Sequence, residues 1–106
     1  MRLVQNTNQN AGFIFMTAFN IKFEHEGKKV TLTIIPKDDY YLIVYFGGIL
    51  GAIRNRDTDW MLLKKEEINN GALSYYDHSS ESSAIKITLG TAEINQIAGE
   101  IENHSH

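Results

Sequence analysis

The sequence contains no cysteine and a single proline, Pro36, in 106 residues. Without thiols there is no disulfide, no Cys-ligated zinc, no iron–sulfur cluster and no cysteine nucleophile, and a reducing cytoplasmic setting fits that composition. Excess positive charge is missing too. Ten Lys and Arg against thirteen Asp and Glu leave a net charge of -3, the wrong sign for neutralising phosphates, so nucleic acid is not an expected partner. Nor is there a long apolar run. Gly12–Phe19 is eight residues, against the roughly 20 needed to span a bilayer. The opening Met1–Val4 is cut off by the six polar residues Gln5–Asn10, so neither a secretory core nor a membrane contact is expected.

What is present fits one domain: 42% of residues are hydrophobic and 10% aromatic, enough for a single modest core. The boundaries read as a polar N-terminal tail over 1–12, a domain over 13–103 and a short tail over 104–106. Met16 stands just before the first strongly patterned strand, and a translation start there would give the tidier domain.

Strand periodicity dominates the middle of the chain. Phe19, Ile21 and Phe23 alternate with Asn20, Lys22 and Glu24, the period of a half-buried strand. His25-Glu26-Gly27-Lys28 supplies a tight reversal, and Val30, Leu32 and Ile34 alternate with Thr31 and Thr33 as its partner strand. Pro36 cannot donate to a ladder and ends that strand beside the turn residues Lys37-Asp38-Asp39. Tyr40–Phe46 is apolar on both phases. This predicts the most buried segment of the chain, covered on both faces, with either its own fold or a partner supplying the second cover. Gly47-Gly48 breaks it, and Ile49–Arg54 resumes as a strand in which Gly51 marks a bulge or a close backbone approach.

After the polar turn Asn55–Asp59 comes the brief apolar segment Trp60–Leu63, then one helical turn within Lys64–Gly71. Leu73–Tyr76 reads as a short edge strand, Asp77–Ser83 as a solvated loop and Ala84–Leu89 as a final strand. The chain closes on a clear helix: Ile94, Ile97, Ala98 and Ile101 fall at i, i+3, i+4 and i+7, with Thr91 as N-cap and Glu93 in the first turn. Gly99 inside it predicts a close approach to another backbone. Together these give an α+β domain, a meandering antiparallel β-sheet of five or six strands packed against one C-terminal amphipathic helix.

Chemistry-bearing constellations are weak. Of the four histidines, His25, His78, His104 and His106, only the last two share local spacing; they read as tail residues beyond the helix, and His25 and His78 as solvated turn and loop residues. Asp38-Asp39, Asp57 with Asp59, and Glu66-Glu67 are adjacent acids in polar segments, which point apart instead of sharing a cleft. Asp57-Thr58-Asp59 lacks the glycine and closing glutamate of a calcium loop. Ser79, Ser80, Ser82 and Ser83 lie near His78 and Asp77 without the rigid elbow a nucleophile needs. Gly47-Gly48 and Gly51 lack the Lys-Ser/Thr of a phosphate loop. No catalytic, cofactor-binding or metal-binding residue is therefore expected, and the chain reads as a non-enzyme.

One feature of the charge stands out. Residues 1–65 carry nine basic and six acidic side chains, whereas residues 66–106 carry Lys86 alone against seven acids. An acidic face built from Glu93, Glu100 and Glu102 would suit a basic partner, and Trp60, Tyr75 and Tyr76 border short segments where aromatics serve interfaces.

The run Phe19-x-Ile21-x-Phe23 with Gly27-Lys28, then Tyr41-x-Ile43-x-Tyr45, Trp60, and Ile94-x-x-Ile97-x-x-x-Ile101-Glu102 with His104 resembles a scattered set of small uncharacterised bacterial single-domain α+β proteins. It covers roughly residues 16–104, departs from the shorter versions by added strands over Leu73–Leu89, and implies a fold without catalytic or cofactor residues.

The function expected from the sequence is a non-catalytic, cytoplasmic protein-interaction or regulatory module acting on a protein partner or as a homodimer. Its candidate interface is Trp60, Tyr75, Tyr76, Glu93, Glu100 and Glu102. Two other classes compete. An immunity-type or antitoxin inhibitor would use the acidic C-terminal half, with Glu66, Glu67 or Glu81 joining the helix acids, and a small-ligand binder or enzyme would need a pocket near Trp60.

Overall fold

A computed structural model of the protein describes residues 17–57, 59–77 and 86–104. Five strands follow one another as a meander: β1 (Phe19–His25), β2 (Lys28–Pro36), β3 (Tyr41–Tyr45), β4 (Gly48–Arg56) and β5 (Asp59–Leu62). All neighbours are antiparallel, in the spatial order β1-β2-β3-β4-β5. A 3-10 turn at Lys65–Glu67 and the helix α1 (Thr91–His104) complete the elements. The helix packs against both β1 and β5, the two edges of the sheet. The sheet is therefore curled, with α1 lying across the mouth of the curl.

The two faces of the sheet are covered by different means. Ile21, Phe23, Leu32, Ile34, Ile43 and Ile53 meet Ile97 and Ile101 of the helix, with Ile87 closing the cluster. On the opposite face Tyr40, Leu42, Val44, Ile49 and Ala52 lie under Leu63, Ile68, Leu73 and Tyr75. A strap formed by residues 63–76 thus covers the second face of β3 and β4. β3 is buried on both phases, as its composition predicts, and both covers come from the chain itself.

Two reversals are two-residue loops with positive φ at both positions: Glu26-Gly27 (52° and 80°) between paired His25 and Lys28, and Phe46-Gly47 (50° and 74°) between paired Tyr45 and Gly48. That is the type I′ pattern, whose twist matches the strands it joins. The bulge expected near Gly51 exists: Ile43 pairs with Gly51 and Val44 with Ile49, leaving Leu50 as the extra residue. The slip puts Ile49 and Ala52 on the strap face and Leu50 and Ile53 on the helix face. An alternation read straight along β4 cannot find this.

Several expectations are corrected. Residues 86–89 form no strand; Ile87 is buried and Leu89 packs on the core without joining a ladder, because burying two side chains does not require one. Ala84 and Ile85 lie outside the described residues. Leu73–Tyr76 contributes a single parallel bridge, Tyr75 to Ile49, held by Ile49 N–H to the Ser74 carbonyl and Tyr76 N–H to the Ile49 carbonyl, both 2.9 Å.

The helix cap is Gly90, not Thr91. The Gly90 carbonyl accepts from Ile94 N–H at 2.9 Å, and Glu93 reaches back to the Gly90 N–H at 3.0 Å, half of a capping box shifted by one residue. A Cβ on Gly99 would meet nothing within 4 Å, so no backbone approaches it. The close approach is instead at Gly48, where a Cβ would stand 2.6 Å from the Tyr76 Cα.

Candidate functional site

The β3–β4 turn carries the most exposed large apolar side chain among the described residues. Phe46 is 55% exposed, outside the buried run to which the sequence assigns it, because β3 ends at Tyr45 and the I′ turn begins with Phe46. Left-handed φ is costly for a bulky residue, and this turn position favours Asn, Asp or Gly. The ring stands edge-on to Tyr45, centroids 4.8 Å apart at 83°.

Beside the turn, the β2–β3 ladder stops at Thr33 and Val44 while the β1–β2 ladder continues to His25 and Lys28. Val30 and Thr31 of β2 thereby border a surface groove of about 400 Å³ with Tyr45 and Phe46. A second apolar region lies on β5, where Met61 is 42% and Leu62 45% exposed. Leu62 lines an open groove of about 360 Å³ with Leu63, Ile68, Tyr75 and Leu89.

The residues singled out from the sequence are mostly engaged within the fold. Trp60 is half-buried, its ring 5.8 Å from Tyr41 and its indole N–H donating to Glu102 Oε2 at 3.2 Å. Tyr75 joins the strap-side cluster beneath Lys65, whose Nζ lies 4.6 Å from the ring centroid. Tyr76 packs on the helix-side core, 5.1 Å from Tyr45. Glu93 faces His25, with Oε2 3.4 Å from Nδ1, and caps Gly90 through its other oxygen.

The helix is fastened along its whole length. Toward β1, Gln96 bonds both backbone groups of Glu24, accepting from its N–H at 2.7 Å and donating to its carbonyl at 2.9 Å, and His104 stacks on Phe19 at 3.7 Å and 5°. Toward β5, the tie is Glu102 to Trp60. Glu93 and Glu102 therefore flank opposite sides of the helix; Glu100 is half-buried. Glu66 and Glu67 stand on the strap, over the other sheet face, and Glu67 is held by Lys64 N–H at 2.8 Å. Glu81 lies outside the described residues.

The histidines need correcting as well. His25 is not a solvated turn residue: it ends β1, points inward and is 7% exposed, with its ring 6.0 Å from Phe23. Its sequence partner, Glu93, is 68 positions away in the chain and could not be found by local spacing. His104 is the last residue of α1, not part of a tail beyond it. His78 and His106 lie outside the described residues. Among the described residues no three His, Asp or Glu side chains are grouped to hold a metal ion. Of the turn acids, Asp39 pairs with Arg54 of β4 at 3.2 Å. No helix among these residues is long and apolar enough to cross a membrane. No family model matches the chain, and no curated protein or solved structure matches it.

Proposed function

We propose that this chain is a non-catalytic protein-interaction module of the cytoplasm that engages its partner through the β3–β4 turn, with Phe46 as the anchor. One observation carries the reading: a large aromatic is 55% exposed at a left-handed turn position where Asn or Gly would sit at lower cost. A stiff two-residue turn presents that ring with little conformational entropy left to lose, which favours a docking anchor. Val30 and Tyr45 beside it supply the apolar floor of a contact.

A second copy of the chain is the partner that requires fewest assumptions. Light scattering coupled to size exclusion, over a tenfold concentration range at low and high salt, tests this on the untagged chain and on Phe46→Asn. The expected result is a salt-insensitive dimer that the substitution returns to monomer. Equal masses for the two proteins at every concentration would overturn it.

A further inference from the structure

The edge of β1 is closed by a side chain. Antiparallel ladders alternate between residues that face their partner strand and residues that face away. The two-residue turn between His25 and Lys28 fixes that phase, so the N–H and C=O groups of Asn20, Lys22 and Glu24 point to the outer edge of β1, where no strand pairs among the described residues. At Glu24 both groups are taken by the Gln96 amide, at 2.7 and 2.9 Å. The amide stands where one residue of a sixth strand would stand. A groove of about 360 Å³ lined by Lys22, Phe23, Glu24, Lys29 and Gln96 opens beside it.

We propose that β1 is a latent pairing edge guarded by Gln96, and that its occupant, once the guard is lifted, is β1 of a second copy. The pairing is antiparallel with its two-fold axis through Phe23. Charge selects that register. An axis through Phe23 sets Lys22 opposite Glu24 of the second copy, and Glu24 opposite its Lys22, with all four residues facing the shared edge and their side chains on the exposed face. An axis through Lys22 would oppose two lysines, and one through Ile21 would spend Lys22 on Asn20. Lifting the guard need not undock the helix, because Ile97 and Ile101 remain in the core and Trp60–Glu102 and Phe19–His104 still hold it. This surface is distinct from the Phe46 turn and does not depend on it.

The test uses the Phe46→Asn chain as parent, so that association through the turn cannot contribute. Adding Gln96→Ala keeps a strong helix former at that position, and Gln96→Met removes the same two hydrogen bonds at similar length. In sedimentation equilibrium, both variants are expected to dimerise at about a hundredfold lower concentration than any residual association of the parent, about tenfold for the competing hydrogen-bond pair lost in each of the two copies. Lys22→Glu in the Gln96→Ala chain sets like charges opposite one another and is expected to abolish the gain; adding Glu24→Lys restores it. Added salt weakens the dimer. The proposal is overturned if both Gln96 variants keep the parent's mass while the Glu24 amide exchanges faster, or if Lys22→Glu leaves their dimer unchanged.

Discussion

The two faces of β3 are buried to the same degree by different kinds of structure. Ile43 lies in the cluster closed by a regular helix whose apolar stripe repeats at i, i+3, i+4 and i+7, with Tyr45 at its rim against Tyr76, whereas Leu42 and Val44 meet an irregular strap held by a few specific bonds. On the helix side stability comes from packed area, and each side chain contributes through its volume. On the strap side the same apolar contact depends on the backbone of residues 63–76 being routed across the sheet. That routing rests on the Ile49 bonds to Ser74 and Tyr76 and on Tyr40 Oη, which accepts from Asn69 N–H at 2.9 Å. The comparison separates a cover that tolerates local change from one that a single backbone clash can detach.

Breaking the helix side should cost most. Phe23 is 1% exposed within that cluster, and Phe23→Ala is expected to remove about 3–5 kcal/mol by lost transfer and a residual cavity, read as a lower urea midpoint. On the strap side, Gly48→Ala drives a Cβ to 2.6 Å from the Tyr76 backbone. The expected loss is about 1–3 kcal/mol, and its signature is local: faster amide exchange at Ile49 and Tyr76, with the Ile34 and Ile43 amides still protected. Uniform acceleration across the sheet would show that the strap and the helix core unfold as one unit and would erase the contrast. Tyr40→Phe probes the same cover more gently. It removes only the bond to Asn69 and is expected to cost about 1 kcal/mol, with exchange rising at Asn69 before any strand.

The difference between the faces also explains what could be read from the sequence. The helix and the strands β1 and β2 follow from periodicity, because one unbroken face of each is apolar, and β3 from a short run apolar on both phases between turn residues. The single helical turn expected within Lys64–Gly71 appears as the 3-10 turn at Lys65–Glu67, but its place over the second face of β3 has no periodic signal. The bulge at Leu50 reverses the phase of β4, so Ala52 and Ile53 change sides relative to a straight reading. Gly48 is required by its contact with Tyr76, across a gap in sequence that no local pattern bridges. Glu93 and Glu102 look like free surface acids until the sheet brings His25 and Trp60 to them. Phe46 looks like core because it ends an apolar run; only the two-residue loop between Tyr45 and Gly48 turns it outward.

Phe46 belongs to neither face, and this makes its replacement the sharpest of the small effects. Its side chain contributes little to either cluster, so truncating it leaves no cavity, while its φ of 50° is one that Asn tolerates far better. Phe46→Asn is therefore expected to stabilise the monomer by roughly 0.5–1 kcal/mol, an increase where most substitutions of a large apolar residue decrease stability. Thermal unfolding at low concentration, below the range in which copies associate, isolates that term. A stabilised monomer that no longer associates would show that the chain carries this aromatic at a cost to its own fold, the pattern of a residue kept for a partner. A destabilised one would mean that the ring's edge-on contact with Tyr45 is worth more than the strain, and Phe46 would then be a piece of the core's rim and no anchor at all.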